Sequence, residues 1–455
     1  MAGLTDSLSR FASDPGFTML PDSASAIIKT GFTDTIATMI AGRDAEVVQI
    51  LREFVRQRQS RASEAQVLFI GEQTASNDAA LINGTAAHAL DYDDVALGGH
   101  PSTVLVPAIL AEAERLDASG ADVMRAYLVG YEIWAELSRR ESDPYHLKGW
   151  HPTAVLGTVG AAGAVAWLNR LSPQQCRHAI SLAASMACGL VANFGTMTKP
   201  LHAGRAASSA IDAVRLATAG LTAAPDAIEH HAGYLAALSP KGAADLSEGV
   251  ELGEHLRILE SGLSIKKYPM CYSTHRVVDG VLDLVKDHGI RPGDVEAVDA
   301  TIGVSQASML RNHSPVTGLE AKFSLEFSVA AALISQKVGL TELTDSYVSQ
   351  SDVRELMGKV RVHTSESICP IEPVFALNDQ VAITLKDGRR LESGDIRFAR
   401  GNALLPLQDD ELKAKFLDCC ARAELDADRL YTQLNSLETL KSIRELTAFS
   451  ELTAA

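Results

Sequence analysis

Small residues crowd the apolar segments of this chain at helical spacing, which limits much of it to close-packed helices. The clearest case is Ala154 to Leu168, apolar but interrupted by Gly157, Thr158, Gly160 and Gly163. Side chains this small let helix axes approach closely, so a tight, multilayered helical body is expected. The run is too short to span a bilayer. Its Gly-x-x-Gly-x-x-Gly pattern lacks both the spacing and the preceding strand of a nucleotide loop, so we read it as packing. Aromatic residues are only 5% of the chain, which leaves Ala, Leu, Val and Ile to fill the core.

From about residue 24 to about 265 the chain reads as helix after helix. Apolar residues recur at helical spacing from Ala26 to Ala37. Val104 to Leu116, Ala121 to Ser138, Gln174 to Gly189 and Leu201 to Gly220 are further helices of ordinary length. The character changes after about residue 290. Val295 to Val304 and Val360 to Thr364 alternate like strands. Val381 to Leu385, the pair Asp387-Gly388 and then Arg390 to Glu392 read as a β-hairpin. Helical stretches lie between, near Ala321 to Ile334 and Ser351 to Leu356, and the chain is helical again from Gln408. The expected fold is mostly α. A large all-helical domain is built from both chain ends, residues 1–268 and 396–455, with a smaller α+β lid domain inserted at 269–395. A length of 455 residues suits two to three domains.

The formal charge is −16, which excludes a protein that grips nucleic acid through a broad basic face. Apolar residues make up 46% and charged residues 22%, near the globular norm, so the chain is neither disordered nor fibrous. None of the six cysteines forms a C-x-x-C pair, so no zinc site of that type is expected. Met1 to Asp14 has no basic segment followed by an apolar core. A cytoplasmic, reducing location without membrane contact follows as the default expectation.

Four expected helix starts carry a polar side chain at the mouth. His100-Pro101-Ser102-Thr103 and His151-Pro152-Thr153-Ala154 are near copies, each a His before a Ser or Thr that can cap a helix. At Thr198-Lys199-Pro200, proline opens a helix and Lys199 precedes it, held extended by the proline. At Ser273-Thr274-His275 a hydroxyl again caps a helix. Helix N-termini offer free N–H groups and partial positive charge. If the four mouths converge, they form a site for an anion bearing several carboxylates. Otherwise each polar residue serves only its own helix.

The segment His88-x-x-Asp91-Tyr92-Asp93-Asp94 allows three readings: a solvated helix end, a Mg²⁺ site, or an Asp that acts as a general acid or base or holds a catalytic His in its tautomer. Its Asp-x-Asp-Asp spacing matches class II terpene cyclases, but so few aromatic residues are a poor match for carbocation chemistry. Lys266 and Lys267, before Tyr268-Pro269-Met270-Cys271, stand at the expected domain junction. A lysine there either decorates the surface or meets a carboxylate in a cleft.

Taken in order, these motifs resemble the MmgE/PrpD family, from about residue 24 to about 445. The resemblance runs through Asn83 to Asp94, Gly99 to Ser102, Gly149 to Thr153, Thr198 to Gly204, Lys266-x-Tyr268-Pro269 and Ser273 to His275. The family includes 2-methylcitrate dehydratase, cis-aconitate decarboxylase and iminodisuccinate epimerase. The resemblance implies a helical domain with an α+β lid, a homodimer, a cleft active site, and neither metal nor organic cofactor. It implies catalytic roles for Asp91, His100, His151, Lys199 and Lys266, and substrate contacts from Thr198, Cys271 and His275. The implied activity is a dehydratase-like lyase acting on a small di- or tricarboxylate through a carboxylate-stabilised carbanion. The alternative is an epimerase of an iminodisuccinate-like substrate. Pro269-Met270-Cys271 and Phe327 depart from the decarboxylase pattern and speak against that third activity. The stretch from Asn193 to Pro200, with Cys271, looks more like the epimerase branch. A non-catalytic helical scaffold would explain the helices but not their polar mouths.

Overall fold

The structure is a computed structural model that describes residues 3–14 and 20–448. It is mostly α, with 20 α-helices and six short strands among the described residues. The chain divides into two compact units. One comprises Met1–Ser264 with Gln408–Ala455, the other Ile265–Leu407. The first junction falls four residues before the one expected at 268/269 and the second twelve residues after the one expected at 395/396, and Lys266 belongs to the second unit.

In the first unit the helix Pro152–Leu168 is buried at every position, which is why it is apolar all round. It packs against Gly120–Arg139 and Thr198–Thr218. A Cβ at Gly157 would come within 2.8 Å of the Trp134 ring, and one at Gly160 within 2.8 Å of the Gly130 carbonyl, so these glycines do serve packing. The most extensive helix contact among the described residues joins Ser76–His88 to Thr198–Thr218. There a Cβ on Gly84 would lie 2.8 Å from Cα of Gly204. This crossing brings His88 and Lys199 to one region. Lys415, on the late helix Asp409–Cys420, fastens the chain's end to this unit. Its ammonium pairs with buried Asp34 at 2.5 Å and donates to the Tyr92 carbonyl at 2.7 Å.

The expected helices are present, with shifted ends. Ser102–Leu116, Gly120–Arg139 and Thr198–Thr218 start one to three residues early, and Pro173–Met186 stops short of Gly189. Two stretches differ from expectation. Residues 65–74 form a small antiparallel hairpin, β1 (Ala65–Val67) with β2 (Glu72–Thr74). Residues 219–264 hold only two five-residue α-helices, Tyr234–Leu238 and Arg257–Ser261. Pro225, Gly233, Pro240, Gly242 and Gly249 break the helical pattern there.

The second unit is α+β. Strands β3 (Val295–Gly303), β4 (Val360–Ser365), β5 (Gln380–Leu385) and β6 (Arg390–Glu392) lie in the order β4-β3-β5-β6. The β3–β4 pair is parallel and the other two are antiparallel. The β5–β6 turn uses Gly388 at φ +88°, the left-handed conformation that an Asp-Gly turn requires. Val298, Ala300, Ile302 and Ile383 meet Val277 and Phe327 in its core. Among the described residues no helix is long and apolar enough to cross a membrane.

Candidate active site

The site is built around the loop that follows the helix Ser76–His88. Asp91 turns the chain there at φ +53°, a left-handed conformation that Asp tolerates better than most residues. Asp91, Asp93 and Asp94 are all buried, so the reading as a solvated helix end is overturned. Asp94 accepts from the Ser102 N–H at 3.3 Å and from the Ser102 hydroxyl at 2.6 Å, and so caps the helix Ser102–Leu116 from outside. Burial, with Asp34 and Asp93 nearby, pushes the Asp94 carboxyl well above the usual range.

The expected hydroxyl caps are absent. Ser102 is already helical, and its hydroxyl serves Asp94 and Tyr127. His151 is itself the N-cap of Pro152–Leu168. Thr153 accepts the His100 backbone N–H at 3.1 Å and so ties the two similar motifs together. In the second unit Thr274 donates its hydroxyl to the Cys271 carbonyl and does not cap the helix His275–His288. In each case another partner engages the hydroxyl in place of its own helix's N–H groups: the Asp94 carboxylate for Ser102, the His100 N–H for Thr153 and the Cys271 carbonyl for Thr274.

Asp93 sits between two imidazoles. His88 Nδ1 lies 2.9 Å from Oδ1, and His100 Nδ1 lies 2.8 Å from Oδ2. His100 Nδ1 is also 2.8 Å from the Asp94 carbonyl. All these partners are acceptors, so each Nδ1 carries the proton. Burial alone would raise Asp93, but His88 and His100 outweigh it and hold the carboxyl well below its ordinary value. His151 completes the group, its ring centroid 6.0 Å from His88 and 6.4 Å from His100. Burial drives His151 well below 6.5, aided by His88, Lys199, His100 and His202. Burial also drives His88 down to about 4, against the pull of Asp93. His88 and His151 are therefore neutral at pH 7.

Lys199 reaches this cluster from a position other than the one expected. It is the second residue of the helix Thr198–Thr218, not an extended residue ahead of it. Pro200 is the third. First-turn N–H groups have no intrahelical acceptor, so the ring costs no bond there, and helix start overrides the pre-proline preference. The buried ammonium donates to Asp91 Oδ1 at 2.7 Å and stands 5.2 Å from the Phe194 ring centroid. Phe194 packs edge-on against His151 at 4.8 Å, which places Lys199 and His151 around one ring. Thr198 opens the helix, half-buried, its N–H on the Thr196 hydroxyl.

Asp91, His100, His151 and Lys199 thus come together in the first unit. Lys266, Cys271 and His275 lie in the second. Lys266 is 1% exposed. Cys271 donates its backbone N–H to the Lys322 carbonyl. The buried His275 ring lies 5.1 Å from Tyr268 and 5.0 Å from Tyr272, centroid to centroid. Sequence reasoning passed over His146, gave no role to His202 or Phe194 although both lie within its motifs, and left Asp93 with His88 among three readings of one segment. A signal existed for one of them: His202 stands three residues after Lys199, on the same helix face. Among the described residues, two groups have ligand atoms within 4.8 Å of one another and could hold a metal ion: His88, His100 and His151, and His88, Asp91, Asp93 and His100.

A mostly α chain with an α+β second unit and a buried imidazole–carboxylate–ammonium cluster defines a narrow class. The chain matches the MmgE/PrpD N-terminal domain over residues 6–247 and the MmgE/PrpD C-terminal domain over residues 268–435, and it belongs to the MmgE/PrpD family. Human cis-aconitate decarboxylase is 28% identical over 433 residues, covering 92% of this chain and 88% of that protein. The mouse cis-aconitate decarboxylase is 27% identical, over 82% of this chain and 78% of its own length. A cis-aconitate decarboxylase of Aspergillus terreus is 26% identical, over 66% of each chain.

Proposed function

We propose that this protein is a lyase that acts on a small di- or tricarboxylate through a carbanion stabilised by an adjacent carboxylate, without metal or organic cofactor. The observation that carries this reading is the juxtaposition of neutral, buried imidazoles with the Lys199–Asp91 pair. A neutral imidazole removes the proton beside the substrate carboxylate, with His151 the leading candidate. The electron pair spreads into that carboxylate, where the Lys199 ammonium and the first-turn N–H groups meet the charge. His100, its Nδ1–H held by Asp93 and the Asp94 carbonyl, acts as the acid in its doubly protonated form and gives its Nε2 proton to the leaving hydroxyl. One proton leaves carbon and one hydroxide leaves as water, so the product is an alkene. The family resemblance implies that Lys266 takes part in the same chemistry, that Thr198, Cys271 and His275 contact the substrate, and that the protein works as a homodimer.

Decarboxylation of a tricarboxylate is a second reading, favoured by the names of the relatives. Against it, Phe327 has no hydroxyl and lies fully buried, edge-on to Tyr347 at 6.3 Å, and Cys271 stands where the decarboxylase motif has His. Proton nuclear magnetic resonance in D₂O decides, with citrate, 2-methylcitrate, cis-aconitate and iminodisuccinate as the panel. A new alkene signal with loss of water supports the dehydratase. Loss of CO₂ with deuterium uptake identifies a decarboxylase. Deuterium uptake with neither identifies an epimerase. Turnover of none overturns the enzyme reading. Activity should survive dialysis against EDTA; restoration by Mg²⁺ or Zn²⁺ after a loss would recast the His/Asp cluster as a metal site.

A further inference from the structure

His202 stands one turn after Lys199, and its Nδ1 lies 3.1 Å from Nδ1 of His151. Two imidazole nitrogens at that distance hold one proton between them; two protons or two lone pairs would repel. The other two histidines of the cluster have no such freedom, because Asp93 and the Asp94 carbonyl can only accept. His151 alone has a partner that can either donate or accept. Which ring holds the shared proton decides what His151 presents at its far nitrogen: a lone pair or an N–H.

The surroundings hold this contact in place. The His151 N–H donates to the Gly189 carbonyl at 3.0 Å. A Cβ at Gly189 would come 3.2 Å from Cγ and 3.3 Å from Nδ1 of His202, and 2.6 Å from Cβ of Ala154. One residue without a side chain thus fixes the backbone of one ring and makes room for the other. Burial, with Lys199 close by, keeps both rings neutral, so each brings a single proton to the pair.

We propose that His202 is a positioning residue: it accepts the Nδ1–H of His151 and so holds Nε2 of His151 bare, ready to receive the substrate proton. This rests on the functional reading above. When His151 takes that proton it becomes an imidazolium, and its Nδ1–H···Nδ1 bond to neutral His202 becomes charge-assisted and stronger. His202 itself neither contacts the substrate nor gains a proton.

Two measurements test this. In protein carrying ¹⁵N-histidine, the nitrogen shifts of His151, assigned by their loss in His151→Ala, should show a protonated Nδ1 and a bare Nε2. His202→Leu removes the acceptor, whereas His202→Asn offers a carbonyl oxygen near the position of Nδ1. His202→Leu should lower kcat by about 10–100-fold, the usual scale for a partner that orients a working histidine, with KM within about twofold. His202→Asn should recover most of the loss. A His151 protonated on Nε2 in the wild type overturns the proposal, as does wild-type kcat in His202→Leu. If no panel compound is turned over, the functional reading fails, while the nitrogen shifts still decide the tautomer.

Discussion

At the scale of single residues, the proposed lyase chemistry separates groups that would move protons from groups that hold charge. On that reading His100 and His151 belong to the first kind. His100→Ala and His151→Ala should each lower turnover by roughly 10²–10⁴-fold, the range for a general acid or base; near-wild-type rates in both would return them to structural roles. Lys199 belongs to the second kind, and its environment changes what its removal should do. A free lysine at a loop end could be replaced without effect on folding. A buried lysine that donates to Asp91 cannot, because a buried carboxylate loses a cationic partner. Lys199→Met should therefore lower both the melting temperature and turnover. Adding Asp91→Asn should restore melting but not activity, and Lys199→Arg should rescue activity only in part. Kinetics of Lys199→Met within about twofold of wild type would show that the lysine does not serve the substrate.

At the scale of elements, the position of the Lys199 helix depends on glycines rather than on its own polar residues. Gly204 lies against the helix Ser76–His88, where an added Cβ would run into the backbone carbonyl of Leu81 and the Thr85 hydroxyl. A backbone atom cannot swing aside, so Gly204→Ala should push the two helices apart. The expected cost is about 1–3 kcal/mol, typical of overpacking. Because this crossing carries Lys199 and His202 on one side and His88 on the other, kcat should fall as well. Urea unfolding and steady-state kinetics on the same preparation check both; unchanged stability would show that the crossing has slack. The expected small-residue packing was legible in the sequence, since spacing and size are local properties. The hydroxyl caps were not: Ser102, Thr153 and Thr274 each have the right chemistry at a helix start, but partners distant in sequence or backbone carbonyls claim the hydroxyl.

At the scale of the whole molecule, an acidic chain keeps a set of uncharged histidines inside. His88, His146, His151 and His202 are all pushed below 6.5, burial being the main cause in each. For His88 the folded value, about 4, lies below the unfolded one. The unfolded chain therefore binds a proton that the folded chain refuses, and this contribution is lost as pH falls from 6.5 towards 4. Buried carboxyls pushed upward, such as Asp94 and Asp379, act in the opposite sense. A difference between variants isolates the histidine. His88→Gln should gain about 1–2 kcal/mol relative to wild type between pH 7 and pH 5, because wild type loses stability there and the variant does not. Urea unfolding at the two pH values measures it; a difference independent of pH would mean that His88 is charged in the fold.

The sequence alone determined the mostly α architecture, the α+β segment, the Asp-Gly hairpin and the motifs that carry Asp91, His100, His151 and Lys199. All of these are written in periodicity, turn chemistry or short runs of neighbouring residues. Tertiary structure decided the rest. It broke the helical pattern over residues 219–264, formed the hairpin at 65–74 and drew Lys199 into the helix. It also brought His88 and Asp93 together and set His202 against His151. Asp93 orients two histidines only because the loop after Ser76–His88 folds back over its own helix end. His202 meets His151, 51 residues away in sequence, only because Gly189 leaves space for its ring. Burial sets which of these groups carries charge, and burial depends on the packing of the whole unit.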